Sequence, residues 1–316
     1  MVRIIIVILI CFITLSACDN YTSGPRFEGD VYAVSALLMA GKPINSEHPV
    51  YLTRSADVSE FNPMNLFVSE ADVRITELES GQSWTLSPIA DMQEMTLKWI
   101  DPQEHIIQAE YSYKIEIEVP GYEPLISAQT TVPPLANLNP DYYQHNVEGE
   151  GYSLDPQCIG TVPYTVSDVR YPVAMNTFDM DSPCYFMTEF YCLEEFSTQL
   201  EFTNPVLGAE HPTQEMETEY YSSGEGLRRI YMMGRFDPQF SELYQQNYIL
   251  LKNYRQGFIF YGRYRVSAYL TDDNYYRYKY APEGYLLGGV QNALGYFGSA
   301  SGGVMYIEIA RDPETI

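Results

Sequence analysis

Positive charge is scarce in this chain, and so are tryptophan and histidine. Eighteen Lys plus Arg stand against 42 Asp plus Glu, a formal net charge of −24 over 316 residues. Polyanionic backbones are bound by Lys and Arg that displace counterions, so nucleic acid is excluded as a partner. Two Trp against 29 Tyr weaken a carbohydrate platform built on indole rings. The four histidines, His48, His105, His145 and His211, lie in separate segments, and neither HExxH nor another metal-binding spacing occurs. No GxSxG elbow precedes a helix, which leaves a hydrolase triad without support. The Gly-rich tract Gly284 to Gly303 lacks the GxxxxGK[ST] of a phosphate loop and reads as tight turns before a last strand. No catalytic residue, metal ligand or cofactor is therefore assigned. Disorder is excluded as well, because 46% of the residues are hydrophobic, enough to bury cores in about two domains.

The N-terminus reads as an address. One cation, Arg3, precedes the apolar run Ile4 to Ile13, the pattern of a secretory signal and half of the ~20 residues that would span a bilayer. Leu15-Ser16-Ala17-Cys18 resembles a bacterial lipobox. The resemblance implies cleavage after residue 17 and acylation of Cys18, with several chains holding the protein on a membrane surface. The mature chain would then have 299 residues and a net charge of −25. Residues 18–26 form the lipidated cysteine and a polar, turn-rich tether.

With Cys11 removed and Cys18 acylated, Cys158, Cys184 and Cys192 remain in an oxidising compartment. The segment Cys184 to Cys192 is apolar and aromatic and reads as one strand, with Cys184, Phe186, Thr188, Phe190 and Cys192 on one face. Eight residues along a strand separate the two sulfurs by about 26 Å, far beyond disulfide reach. A bridge would join Cys158 to either Cys184 or Cys192.

Patterning predicts a mainly β protein. Residues 27–132 carry six or seven short strands between turn signals, with the clearest alternation in Tyr111 to Val119, where odd positions are apolar. They are read as an immunoglobulin-like or transthyretin-like β-sandwich, ended by Val132-Pro133-Pro134 because prolines supply no ladder donors. Residues 133–159 are a linker or loop. Residues 160–312 form a second β-rich domain, with strands at Cys184 to Cys192, Arg229 to Met233, Gly257 to Leu270 and Val304 to Ile309. Asp237-Pro238 signals a helix start, and aromatic and aliphatic residues at three- and four-residue intervals predict a helix near 238–255. A shorter helix is expected to begin at Thr271-Asp272 and to cover Asn274 to Tyr280. The carboxylates of Asp179, Asp181, Asp272 and Asp273 are read as turn or helix-capping groups.

Charge is uneven along the chain. Residues 115–227 hold nineteen acids against Arg170 alone, a net −18, whereas residues 228–279 hold nine bases against four acids, a net +5. The expected outcome is that the basic block pairs with the acidic one within the fold. The densest aromatic cluster is Tyr275, Tyr276, Tyr278 and Tyr280, the candidate contact for a partner or ligand.

Several segments together resemble the envelope lipoproteins of domain of unknown function family 4249. They are the lipobox at Cys18, Val34-Ser35-Ala36-Leu37-Leu38 with Val50 to Ser55, Ala71 to Ile75, Tyr113 to Ile117 with Thr131-Val132-Pro133, and Val290 to Gly298. The Asn, Gly and Phe of the last tract are the most specific part. The resemblance implies a two-part β architecture, frequent association with TonB-dependent outer-membrane transporters, and no catalytic residues. The expectation is a lipid-anchored, non-enzymatic protein of the cell envelope, at the outer rather than the inner membrane, acting as a binding or accessory module. The alternatives are a carbohydrate-binding or carbohydrate-active surface lipoprotein and a purely structural one.

Overall fold

A computed structural model describes residues 31–56, 63–138, 153–157, 160–164, 173–177, 184–204, 206, 208–216, 226–236, 244–245, 248–251, 257–280 and 288–311. Eight strands occupy the N-terminal part: β1 (Tyr32–Met39), β2 (Val50–Arg54), β3 (Asp72–Glu77), β4 (Ser83–Thr85), β5 (Ser87–Asp91), β6 (Thr96–Ile100), β7 (Ser112–Glu118) and β8 (Ile126–Thr131). Period-two patterning decides their faces. In β7 the odd positions Tyr113, Ile115 and Ile117 are fully buried, and each contributes about 1.5–3 kcal/mol by leaving water. Strands β4-β3-β7-β8 form one sheet, and β1, β2, β6 and β5 belong to the other. Their inner faces meet in a core containing Val34, Leu52, Ile75, Trp99, Ile115 and Ile126, so a two-sheet sandwich is formed. It includes β5, whose central residues are exposed and leave no apolar pattern to read.

Nine further strands follow: β9 (Ala136–Leu138), β10 (Gly160–Pro163), β11 (Val173–Thr177), β12 (Cys184–Cys192), β13 (Arg229–Phe236), β14 (Tyr244–Gln245), β15 (Tyr248–Leu251), β16 (Gly262–Thr271) and β17 (Leu294–Ala310). One helix, α1 (Asp273–Tyr280), lies between β16 and β17, as the sequence leads one to expect. The longer helix near 238–255 is not formed. Its described residues are β14 and β15, which pair antiparallel through Tyr244↔Ile249 and Gln245↔Tyr248; the rest of that segment lies outside the described residues. Part of the 133–159 linker is also in sheet, since β9 pairs with β11 and Ser153 bridges to Tyr306.

The two halves share a sheet. Strand β17 runs parallel to β1 over seven residue pairs, Ala33↔Leu294 to Met39↔Ala300, and antiparallel to β16 over ten. The order β13-β12-β16-β17-β1-β2-β6-β5, with β10 also on β17, is one nine-stranded sheet. A second core, with Phe190, Phe202, Phe258, Phe260, Tyr264 and Ile307, covers its C-terminal part. The terminal Asn-Gly-Phe residues act at this junction. Asn292 donates Nδ2 to the Leu125 carbonyl (2.8 Å), Phe297 is fully buried in the N-terminal core, and Gly295 lies beneath the Val34 carbonyl. Gly295 and Gly302 lie inside β17, where they permit close approach of the Val34 and Ala268 carbonyls, a use beyond the turns expected before the last strand.

Candidate functional site

Strand register places a tyrosine- and arginine-rich surface opposite the C-terminal core. On β12 the even residues Thr188, Phe190 and Cys192 are fully buried, which leaves Tyr185, Met187, Glu189 and Tyr191 on the other face. Antiparallel pairing sets Arg229 and Arg265 on either side of Tyr191, and Tyr231 and Ser267 on either side of Glu189.

Helix α1 lies over the Tyr185 end of this face. Asp272 caps it, accepting the Tyr275 N–H at Oδ1 (3.0 Å), while Asp273 in the first turn and Arg277 and Lys279 in the last suit the helix dipole. Arg277 Nε pairs with Asp273 at 2.7 Å. Gly298 allows the approach to β17, because a Cβ there would come within 2.6 Å of the Tyr275 Cβ. Asp272 also accepts the Thr130 hydroxyl (2.7 Å) and the Ser299 N–H (3.1 Å). Burial pushes its carboxyl above the usual range, against these bonds.

The four tyrosines of the cluster do different work. Tyr275 is buried, so it is a packing residue and not a contact one; burial pushes its phenol far above the ordinary value. Tyr276 stacks on Tyr185 (ring centroids 4.0 Å apart, planes at 17°) and on Tyr280 (5.5 Å, 8°). Tyr278 leans on Tyr296 (4.7 Å). Tyr278 and Tyr280 are exposed, Tyr280 at 68%. The outer ring of a three-tyrosine stack is thus presented to solvent and held from behind by the sheet.

Ion pairs join the basic block to the acidic one, as the charge pattern suggests. Arg263 Nε meets Glu194 at 2.8 Å, and Glu189 is shared by Arg229 Nε (2.9 Å) and Arg265 Nη2 (3.6 Å). Arg263 holds the Glu194 carboxyl below its ordinary range.

Other candidate groups are placed as follows. Cys192 is a buried free thiol, pushed up by burial, so the Cys158 to Cys192 bridge is not made. Its sulfur is desolvated in the core beside the Tyr264 hydroxyl, and among the described residues no second cysteine reaches it. The Cys158 to Cys184 alternative lies outside the described residues, as do Cys18 and His145. His105 is a turn element: its Nδ1 lies 2.7 Å from Asp101 Oδ2, and its ring stacks on Trp84 at 4.6 Å. His211 Nδ1 meets the Leu200 carbonyl at 2.8 Å. Among the described residues no three His, Cys, Asp or Glu side chains converge on a metal-sized site. No described helix is long and apolar enough to cross a membrane.

A mainly β, two-domain protein with few helices is the class these elements define. Residues 26–303 match the family described as Domain of unknown function (DUF4249), and the chain belongs to that family. A search of curated proteins returned no match. Among solved structures, a DUF4785 family protein from Legionella pneumophila subsp. pneumophila str. Philadelphia 1 aligns at 11% identity. The alignment covers 76% of this chain and 53% of that one, at a TM-score of 0.23, a likeness too slight to bear on the fold. The chain spans about half the length of that protein.

Proposed function

We propose that this protein is a lipid-anchored, non-enzymatic module of the cell envelope that binds a partner, with a TonB-dependent outer-membrane transporter as the partner class. The observation that carries the binding role is the tyrosine stack Tyr185–Tyr276–Tyr280, whose outer ring is exposed and whose inner ring belongs to the sheet. Aromatic rings held rigid before contact lose little conformational entropy on binding and bury a large apolar area. The lipobox at Cys18 and the family likeness supply the location and the partner class. A flat exposed ring also suits a sugar face, which keeps a carbohydrate-binding surface lipoprotein as the second reading.

Co-purification from gently solubilised membranes, with palmitate labelling, tests the proposal. The wild-type chain is expected to carry label and to recover the transporter. Cys18→Ala is expected to lose the label, and Tyr276→Ala/Tyr280→Ala to keep the label but lose the transporter. Recovery of the wild-type chain alone in every detergent overturns the transporter reading. In that case, retention of a glycan by the wild type but not by the tyrosine variant identifies the carbohydrate one.

A further inference from the structure

Beyond the tyrosine stack, the same sheet face carries a cluster of cations around Tyr191. The guanidinium carbons of Arg228, Arg229 and Arg265 lie 5.2, 5.0 and 5.1 Å from the centre of the Tyr191 ring. Each is therefore within about 10 Å of the others, and because all three are half-buried, salt screens them less than it would exposed charges at that range. Arg229 and Arg265 share the Glu189 carboxylate, while Arg228 lies within electrostatic reach of Glu194, a carboxylate already paired with Arg263. Arg228 donates Nε to the Cys192 carbonyl (3.2 Å) and makes no ion pair among the described residues. Arg265 Nε is buried without a hydrogen-bond acceptor among them. Lys279, exposed in the last turn of α1, sets its ammonium 5.7 Å from the Tyr231 ring, and Tyr231 is the cross-strand neighbour of Glu189.

Among the described residues, four cations thus gather around two tyrosines, with Glu189 between them and with Glu194, held by Arg263, beside Arg228. A tyrosine face offsets part of the repulsion through its quadrupole but supplies no net charge. What remains suits a group with several charged oxygens, since guanidinium forks match the geometry of phosphate and sulfate. A ligand with a single carboxylate offers only two oxygens to these donors and matches fewer of them. The size of the ligand follows from the whole molecule. With a net charge of −24, the protein repels extended polyanions and anionic bilayers, while a compact anion can reach a local positive site.

We propose that Arg228, Arg229, Arg265 and Lys279 form an oxyanion site that binds the phosphate or sulfate group of a small ligand, with Tyr191 and Tyr231 against the apolar part of that ligand. The site is independent of the Cys18 anchor and of the transporter contact.

Calorimetric titration of the full chain in non-ionic detergent with inorganic sulfate, inorganic phosphate and acetate tests it. Sulfate and phosphate are expected to bind one per chain and acetate much more weakly. Arg265→Gln is expected to weaken sulfate binding about tenfold or more, the effect of losing a charge-assisted hydrogen bond. Lys279→Gln, on the exposed side of α1, leaves the sheet untouched and is expected to weaken it severalfold; it decides the matter if Arg265→Gln fails to fold. Arg277→Gln, on the same helix and paired with Asp273, is expected to bind as the wild type. A wild-type titration without saturable heat, or equal affinity in Lys279→Gln and Arg277→Gln, overturns the site. Flotation with phosphatidylcholine vesicles, with and without phosphatidylglycerol, separates the two sources of the group. No difference between them is expected, and binding to the anionic vesicles without sulfate binding also overturns the proposal. Neither result bears on transporter recovery, so the two readings fail separately.

Discussion

Asp272 and Glu194 are both hydrogen-bonded carboxylates, yet their surroundings give them opposite responses to acid. Burial dominates at Asp272 and raises its pKa above the ordinary 3.8. The folded state then binds the proton more tightly than the unfolded one, so its contribution to stability is full below 3.8 and is lost as pH rises through the folded value. At Glu194 the Arg263 guanidinium dominates and lowers the pKa below the ordinary 4.5. Its contribution is present above 4.5 and is lost as pH falls through the folded value. Asp272→Asn keeps an oxygen for the Tyr275 and Ser299 N–H groups and turns an amide donor toward the Thr130 hydroxyl. It is expected to be more stable than the wild type at neutral pH, with the advantage vanishing below pH 3.8. Glu194→Gln is expected to be less stable at neutral pH, with the deficit closing in acid. Urea unfolding at a series of pH values checks both, and parallel curves for the two variants would refute the assignment.

At the scale of elements, the parallel pairing of β17 with β1 depends on Gly295. Its φ of +93° is a region that residues with a Cβ avoid, and a Cβ there would collide with the Val34 carbonyl. Gly295→Ala is therefore expected to cost more than about 2 kcal/mol, from backbone strain plus displaced pairing. Gly41→Ala has a similar φ of +74° but open space around the new methyl, and about 1–2 kcal/mol is expected from the left-handed conformation alone. Denaturant midpoints of the two variants, at unchanged slope, measure the difference. Elements with local patterns were legible in the sequence. Strand β7 alternates cleanly, β12 is an unbroken aromatic run, and α1 has its cap written at Asp272. The helix expected near 238–255 rested on Tyr244, Tyr248 and Leu251 recurring at helical intervals. Those residues instead lie on two short paired strands, because a few large side chains satisfy either period and pairing with β11 decides between them. Half of the site was legible for the same reason. Tyr275 to Tyr280 are contiguous, whereas Tyr191, Arg229 and Arg265 come together only through the register of β12 with its two neighbours, which no local pattern encodes.

For the whole molecule, the question is whether two cores on one sheet unfold together. The link is more than a connecting chain: seven β1·β17 residue pairs are reinforced by Tyr122 Oη donating to the Asn292 carbonyl (2.8 Å), Asn274 Nδ2 donating to the Gln129 carbonyl (2.7 Å) and the Ala136 N–H donating to Ser301 Oγ (2.7 Å). Phe297 of β17 completes the N-terminal core. Losing the C-terminal core would expose the β1 edge and remove Phe297, a change of about 3–5 kcal/mol for that side chain alone. That is a large share of the stability of a domain, so the N-terminal core cannot outlast its neighbour by much. Both tryptophans, Trp84 and Trp99, lie in the N-terminal core, and their fluorescence reports on it selectively. Phe260→Ala, made in the other core where Phe260 is fully buried, is expected to lower the midpoint of the tryptophan transition together with that of far-ultraviolet circular dichroism. If the tryptophan midpoint stays at its wild-type value while the circular dichroism curve splits in two, the cores unfold independently and the shared sheet does not couple them.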